Sequence, residues 1–143
     1  MKINVLILLA ALTISGCTSI KVSSIATNGE SSYKELASSK LGVSDPIYLL
    51  SESNTYVLCI KDVKGTVQQP RNLLSFVVIK MDDNKVVLEE NVEGGTVDWF
   101  SDNSIQVFRT PGIMRDDQTR DDFITLYNVE TGISSKKKNS AQE

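Results

Sequence analysis

The sequence predicts an all-β fold in which two four-stranded antiparallel units pack face to face as a small sandwich, preceded by a short N-terminal helix. Two observations lead to this prediction. From Asp45 onward, runs of β-branched and aromatic residues are separated by turn residues at intervals short enough for hairpins. The two halves of this region also share one pattern of strands and turns, which indicates two similar units.

A short helix is expected first, over Ser32 to Leu41. Ser32 and Glu35 have the spacing of a capping box, Tyr33 and Ala37 begin an apolar row at helical spacing, and Gly42 suits a helix stop. We expect the apolar stripe of this helix to cover an open end of the β core.

Eight strands follow, and polar or glycine-containing segments separate them. The predicted strands are Ile47 to Leu50, Thr55 to Lys61, Leu73 to Met81, Lys85 to Glu90, Thr96 to Phe100, Ser104 to Arg109, Phe123 to Val129 and Gly132 to Lys136. Asp82-Asp83-Asn84 and Glu130-Thr131-Gly132 lie where tight hairpin turns are expected, because these residue types tolerate positive φ or bond to their own backbone.

The repeat is visible when Ile47 to Val57 is compared with Val97 to Val107. Each segment has a hydrophobic strand, a turn with serine and an acidic residue, and a second hydrophobic strand. Phe76 to Asp82 matches Phe123 to Val129 in the same way. The offset is 50 residues for the first pair and 47 for the second, close to the roughly 40 to 50 residues of a four-stranded propeller blade.

Trp99-Phe100-Ser101-Asp102-Asn103, followed by Leu126 to Gly132, resembles the blade repeats of bacterial β-propellers. The resemblance spans about the last two thirds of the chain. The Pro and Gly of the usual Trp-Ser-Pro-Asp-Gly turn are absent, and the first copy has no tryptophan. Because a closed ring needs at least about four blades, we expect two blade-like units packed as a sandwich, with sheet edges that partners could extend.

The first seventeen residues have the pattern of an export signal. Lys2 precedes the apolar run Ile3 to Ile14, which is shorter than the roughly 20 apolar residues of a membrane span. The closing Ile14-Ser15-Gly16-Cys17 resembles the lipobox of bacterial lipoproteins, which are cut before the cysteine. The alternatives are an ordinary cleavable signal or a single apolar anchor.

The lipobox resemblance implies an address at the bacterial cell membrane. Cys17 would carry a thioether-linked diacylglycerol and an amide-linked acyl chain, and two or more chains hold a protein stably on a bilayer. Thr18, where an Asp tends to retain lipoproteins in the inner membrane, favours the outer membrane facing the periplasm. Residues 1–16 are then the signal peptide, 17–31 a lipid-anchored flexible linker, 32–135 the β domain with repeat units about 45–92 and 95–135, and 136–143 a disordered tail.

Removal of residues 1–16 would leave 127 of 143 residues, the size of one domain. Lys2 leaves with the leader, so 14 basic residues face 18 acidic ones and the net charge is −4. We therefore expect no nucleic acid partner, since phosphate binding needs clustered Lys and Arg in excess. With Cys17 acylated, Cys59 is the only thiol and no internal disulfide can form. We expect Cys59 to be a buried small hydrophobe.

The chain contains no histidine, which removes the commonest general base and metal ligand together with any Ser-His or Cys-His nucleophile pair. It has no Gly-rich phosphate loop and no paired-cysteine metal motif. Glycoside cleavage by carboxylates alone needs two acids flanking a cleft, for which so small a β domain offers little room. We expect no enzyme, no catalytic residues and no cofactor.

The long loop from Arg109 to Asp122 is the candidate binding loop. Its charged residues are Arg115, Asp116, Asp117, Arg120, Asp121 and Asp122. The spacing is not that of an EF-hand and the arginines would compete for the carboxylates, so we expect no metal site. The counterpart loop, Lys61 to Asn72, is basic. If both loops project on the same side, they form a basic and an acidic lobe, which suits protein recognition.

These observations predict a non-enzymatic, membrane-anchored lipoprotein of the bacterial envelope that acts as a protein-binding adaptor or inhibitor. The alternative is a periplasmic small-molecule or glycan-binding lipoprotein. It would use Trp99, Phe100, Phe108 and Tyr127 together with the acidic loop, although aromatic residues at strand positions more often belong to the core.

Overall fold

The computed structural model describes residues 28–137, with side chains from residue 32 onward. The predicted signal peptide, lipidation at Cys17, the linker up to residue 27 and the tail from residue 138 lie outside the described residues. Within the described part of the chain, no helix is long and apolar enough to cross a membrane.

The fold is all-β with one helix, and it consists of two four-stranded antiparallel sheets, as predicted. The elements are α1 (Asn28–Leu41), β1 (Ile47–Leu50), β2 (Tyr56–Val63), β3 (Leu73–Lys80), β4 (Lys85–Glu93), β5 (Gly95–Ser101), β6 (Ser104–Arg109), a 3-10 turn (Arg120–Phe123), β7 (Ile124–Asn128) and β8 (Ser134–Lys136). The first sheet has the order β1-β2-β3-β4 and the second sheet β5-β6-β7-β8, so each is a simple meander.

Helix α1 differs from its prediction at the start and agrees with it at the end. It begins at Asn28, so residues 28–31, expected in the linker, are helical and the Ser32 capping box lies inside the helix. Gly42 ends the helix with a φ of 62°, and the Val43 N–H donates to the Ser38 carbonyl at 3.3 Å. That pattern is the left-handed stop that glycine permits.

Helix α1 packs on the outer face of the first sheet, and the prediction that it covers an open end of the core is wrong. Its buried residues meet a row of side chains from the two central strands. These contacts join Tyr33, Ala37 and Leu41 to Val57, Cys59, Val77 and Ile79. The reason is the composition of β2 and β3, which are apolar on both faces and need cover on both.

The main core lies between the two sheets. The fully buried side chains Leu58, Phe76 and Val78 of the first sheet pack near Ile105 and Val107 of the second. Burying each such side chain contributes roughly 1.5 to 3 kcal/mol. The hydrophobic contact between the sheets therefore supplies the main attraction that holds the sandwich together.

Polar contacts also tie the two sheets together along this core. Trp99 and Tyr127 pack against the core, and the Trp99 indole N–H donates to the Leu49 carbonyl at 2.9 Å. Arg109 forms an ion pair with Glu90 of the first sheet and donates to the Tyr127 hydroxyl at 2.9 Å. Partial burial opposes the charge of Arg109, but these bonds raise its pKa above the usual value. Trp99 and Tyr127 are thus structural residues.

The chain passes from the first sheet to the second at Gly94, which has a φ of 61°. The Gly94 N–H donates to the Asn72 carbonyl at 2.8 Å, and its own carbonyl accepts from the Thr110 N–H at 2.6 Å. A Cβ on the next residue, Gly95, would lie 2.2 Å from the Phe108 carbonyl oxygen. Only glycine therefore fits at this corner.

The last strand, β8, ends at Lys136, where the predicted strand Gly132 to Lys136 also ends. Lys136 pairs with Thr125 in β8, and the Lys137 N–H donates to the Ile124 carbonyl at 3.0 Å. The second sheet therefore includes the first two residues of the segment 136–143, which was expected to be a disordered tail. Lys137 is held further by an ion pair with Asp121 at 3.0 Å.

Gly95→Ala is expected to destabilise the fold by at least about 2 kcal/mol, because the added methyl would collide with backbone rather than with a side chain that can move. Gly112→Ala is the matched control. Its Cβ would meet only the Arg71 guanidinium at 3.6 Å, so a change within about 0.5 kcal/mol is expected. Urea unfolding measures both, and equal midpoints for the two variants would contradict the tight corner.

Cys59 is buried beneath α1, and burial raises the pKa of its thiol to about 12. At pH 8 only about one thiol in ten thousand is then ionised. We expect labelling of Cys59 by a disulfide reagent to require undocking of the helix. Leu41→Ala should accelerate it, whereas Leu50→Ala, at an exposed position, should not. Peptide mass spectrometry follows the reaction, and rapid labelling of the unmutated chain would refute the docked helix.

Candidate functional site

The meander topology places both long loops at one end of the sandwich, here called the loop end, and the tight turns at the other, the turn end. The first loop spans residues 64–72 between β2 and β3, and the second spans residues 110–119 after β6. The Arg71 guanidinium lies 3.6 Å from the Cβ position of Gly112, so the two loops touch. The condition for neighbouring basic and acidic lobes is therefore met.

The first loop is held in one conformation by its own backbone. The Thr66 N–H donates to the Gln69 carbonyl at 2.7 Å, and the Gln69 N–H donates to the Thr66 hydroxyl at 3.1 Å. Gly65 lies so close to Pro70 that a Cβ would be 2.5 Å from its carbonyl oxygen. This closed turn displays Val67 at its tip with 97% of its surface exposed.

Asn72 fixes the base of the first loop against the corner between the sheets. Its side-chain amide donates to the Asp62 carboxylate at 2.8 Å, and its side-chain carbonyl accepts from the Gly95 N–H at 3.3 Å. These bonds join the first sheet, the loop and β5. The position of the loop relative to the second sheet is therefore set before any partner arrives.

The predicted binding loop splits into two groups. Arg115, Asp116 and Asp117 lie on its exposed part, where the Gln118 N–H donates to the Arg115 carbonyl at 3.0 Å and closes a turn. The charges of these three side chains face solvent and are open to a partner. Arg115, Asp116 and Asp117 thus lie on an exposed loop, and their role in binding stays a prediction.

Arg120, Asp121 and Asp122 instead anchor the loop. The Arg120 guanidinium lies 4.4 Å from the centre of the Phe108 ring, and Asp121 pairs with Lys137. Asp122 accepts from the Thr119 N–H at 2.6 Å in a capping box at the 3-10 turn. Asp121 and Asp122 bind different partners, and Asp116 and Asp117 face solvent, so the four carboxylates do not converge on one point. Within residues 28–137 no group of three or more Cys, Asp and Glu side chains has metal-binding geometry.

The loop end also concentrates exposed apolar side chains, which the sequence analysis did not single out. Of the nine large hydrophobic residues that are exposed in the described part of the chain, six lie at this end: Ile47, Val63, Val67, Leu73, Ile113 and Met114. Ile113 is 87% exposed. In the sequence, the signal that could have identified this surface is the presence of apolar residues within otherwise polar loops. We call these six residues, with Lys64, Arg71 and Arg115, the loop-end surface.

The charges of the loop-end surface are not neutralised internally. Ion pairs among the described residues join Lys40 to Glu89, Lys80 to Asp82, Arg109 to Glu90 and Lys137 to Asp121. Lys64, Arg71, Arg115 and their acidic neighbours are in none of these pairs. The first loop is thus basic and the tip of the second is acidic, side by side around exposed apolar groups.

A cavity of about 230 Å³ lies beneath the first loop, lined by Gln68 to Leu73 and by Glu93. This volume is below the roughly 300 to 1,000 Å³ of small-ligand pockets. Its size suits one inserted side chain of a partner better than a whole ligand.

Comparison with family models, with curated proteins and with solved structures finds no match for this chain.

Arg120→Ala is expected to loosen the second loop, because the cation–π contact of an exposed arginine contributes about 0.5 to 1 kcal/mol. Amide hydrogen exchange of residues 115–122 should become faster, with a stability loss of that size in urea. Arg115→Ala, at an exposed position, is the control and should change neither. Equal exchange in both variants would show that Arg120 does not anchor the loop.

Proposed function

We propose that this chain is a non-enzymatic lipoprotein of the bacterial envelope, anchored through Cys17, whose β domain binds another envelope protein as an adaptor or inhibitor. The observation that carries the proposal is the loop-end surface, where apolar side chains stand exposed on two constrained loops. We assign it the outer membrane, facing the periplasm, because Thr18 follows the lipidated cysteine in the lipobox resemblance.

The energetics of the loop-end surface favour association with a protein. Val67 and Ile113 are almost fully exposed, so their burial by a partner would contribute roughly 1.5 to 3 kcal/mol each. Met and Arg, both present here, are enriched in protein interfaces. Because the loops are already held by Asn72 and Arg120, little conformational entropy is lost on binding.

The charges of the two loops supply orientation. Lys64 and Arg71 lie on one loop and Asp116 and Asp117 on the other, at the same end of the sandwich, and all four are exposed. A partner would therefore need an acidic patch and a basic patch in the matching order. Such complementarity raises association rates and excludes wrong partners more than it adds affinity.

In-cell photocrosslinking tests the proposal. A benzoylphenylalanine at position 67 or 113 of the full chain should trap one discrete protein partner, because both side chains are exposed at the loop end. The same probe at Glu52 or Asp83, both exposed on tight turns of the turn end, should not. Crosslinks to lipid alone at positions 67 and 113, or equal crosslinking at both ends, would contradict the proposed surface.

Ile113→Asp should reduce capture of that partner at least tenfold while leaving the urea midpoint unchanged, since the side chain makes few internal contacts. Ile133→Asp is the matched control, because Ile133 is also well exposed but lies at the turn end. Similar losses in the two variants would indicate a general effect of added charge and would count against the loop end.

A further inference from the structure

The outer face of the second sheet is the face not occupied by the main core. In the first sheet the equivalent face is covered by α1. Among the described residues no α-helix packs on this one, and the 3-10 turn lies over its loop-end part, with Arg120 over the Phe108 ring. Two grooves divide it. The groove nearer the loop end, of about 460 Å³, is charged, with Asp98, Arg120, Asp121 and Lys137 in its lining. The groove nearer the turn end, here called the turn-end groove, has a volume of about 370 Å³ and a different lining.

The turn-end groove has no charged residue in its lining, although 23% of the chain is charged. Five of its lining residues carry a hydroxyl or a carboxamide: Ser101, Ser104, Asn128, Thr131 and Ser135. The other three are the apolar residues Phe100, Leu126 and Ile133. The groove therefore offers neutral hydrogen-bonding groups beside an apolar wall.

Several of these polar groups are available to a ligand. The Asn128 side-chain carbonyl accepts from the Glu130 and Thr131 N–H groups at 3.0 and 2.9 Å, which fixes the carboxamide. Among the described residues, its NH₂ group and the Ser135 hydroxyl have no protein partner. The Ser104 hydroxyl donates only a long bond, at 3.4 Å to Asn103. The groove thus has an oriented donor and adaptable hydroxyls.

The aromatic wall follows from the alternation of side chains along β5. Val97 and Trp99 face the core, so Phe100 lies on the opposite face of the strand. Trp99 packs against the core, while Phe100 is turned outward with 52% of its surface exposed. A partly exposed ring beside hydroxyl and amide groups gives a flat apolar surface with hydrogen-bonding groups around it.

We infer that the turn-end groove binds a neutral oligosaccharide. Sugar hydroxyls match the Ser and Asn groups, a sugar C–H face can pack on Phe100, and no charge on the ligand is needed. The volume lies within the range of small-ligand sites. A protein partner fits poorly, because serine is depleted in protein interfaces and the groove has no Arg, Tyr or Met. This site is separate from the loop-end surface and independent of it.

The experiment is an NMR titration of the full-length protein in a detergent without a sugar head group. Chitotriose, cellotriose and maltotriose are the probes. At least one should give saturable amide shifts confined to the residues around Phe100, Asn128 and Ser135, with a dissociation constant of about 1 mM, a binding free energy of about −4 kcal/mol. Phe100→Ala should weaken binding at least tenfold, and Phe100→Trp should retain it.

Asp98→Asn, in the charged groove of the same sheet face, is the matched control and should leave the affinity unchanged. The spectrum of each variant shows whether it is folded. Absence of saturable shifts with all three sugars, or shifts that persist in folded Phe100→Ala, would overturn the inference. Ile113→Asp should not alter sugar binding, so failure of the loop-end proposal and failure of this one are distinguishable.

Discussion

The structure depends on the burial of the first sheet on both faces. In its central strands, the side chains from Tyr56 to Ile60 and from Phe76 to Ile79 are all buried. A single packing layer could cover only one face of these strands. Helix α1 covers one face and the second sheet covers the other. In the second sheet, buried and more exposed side chains alternate along β5 and β6, so only one face of these strands needs to be covered. This difference leaves one sheet face and one end of the sandwich open to other molecules.

The topology of the two sheets explains where the proposed binding surfaces lie. Two meanders joined by a single residue, Gly94, bring their long loops to one end. Asn72 and Arg120 then fix those loops from opposite sides. The apolar residues on these loops lie outside the core and are exposed. Exposed apolar residues on constrained loops are typical of surfaces that bind proteins. The opposite end of the sandwich carries the turn-end groove, which has no charged residue in its lining.

The sequence predicts the sheets well because strand periodicity and turn chemistry are local signals, as the Asp82-Asp83-Asn84 turn with its positive φ at Asn84 illustrates. The stop of α1 at Gly42 is a local signal of the same kind. The start of α1 at Asn28 was missed because a capping box also occurs inside helices. The place where α1 docks depended on contacts with distant strands, although the unbroken apolar runs of β2 and β3 carried a hint. Likewise, Arg120, Asp121 and Asp122 resemble a site in sequence, but long-range partners such as Phe108 and Lys137 turn them into anchors.

The functional account requires that the domain stands tethered at a membrane through Cys17. Mass spectrometry of the native protein, purified from the envelope of its own cells, tests this requirement most directly. We expect a chain that begins at Cys17 and carries a diacylglycerol and an amide-linked acyl chain. A chain that retains Met1, or one that has an unmodified thiol at Cys17, would contradict it.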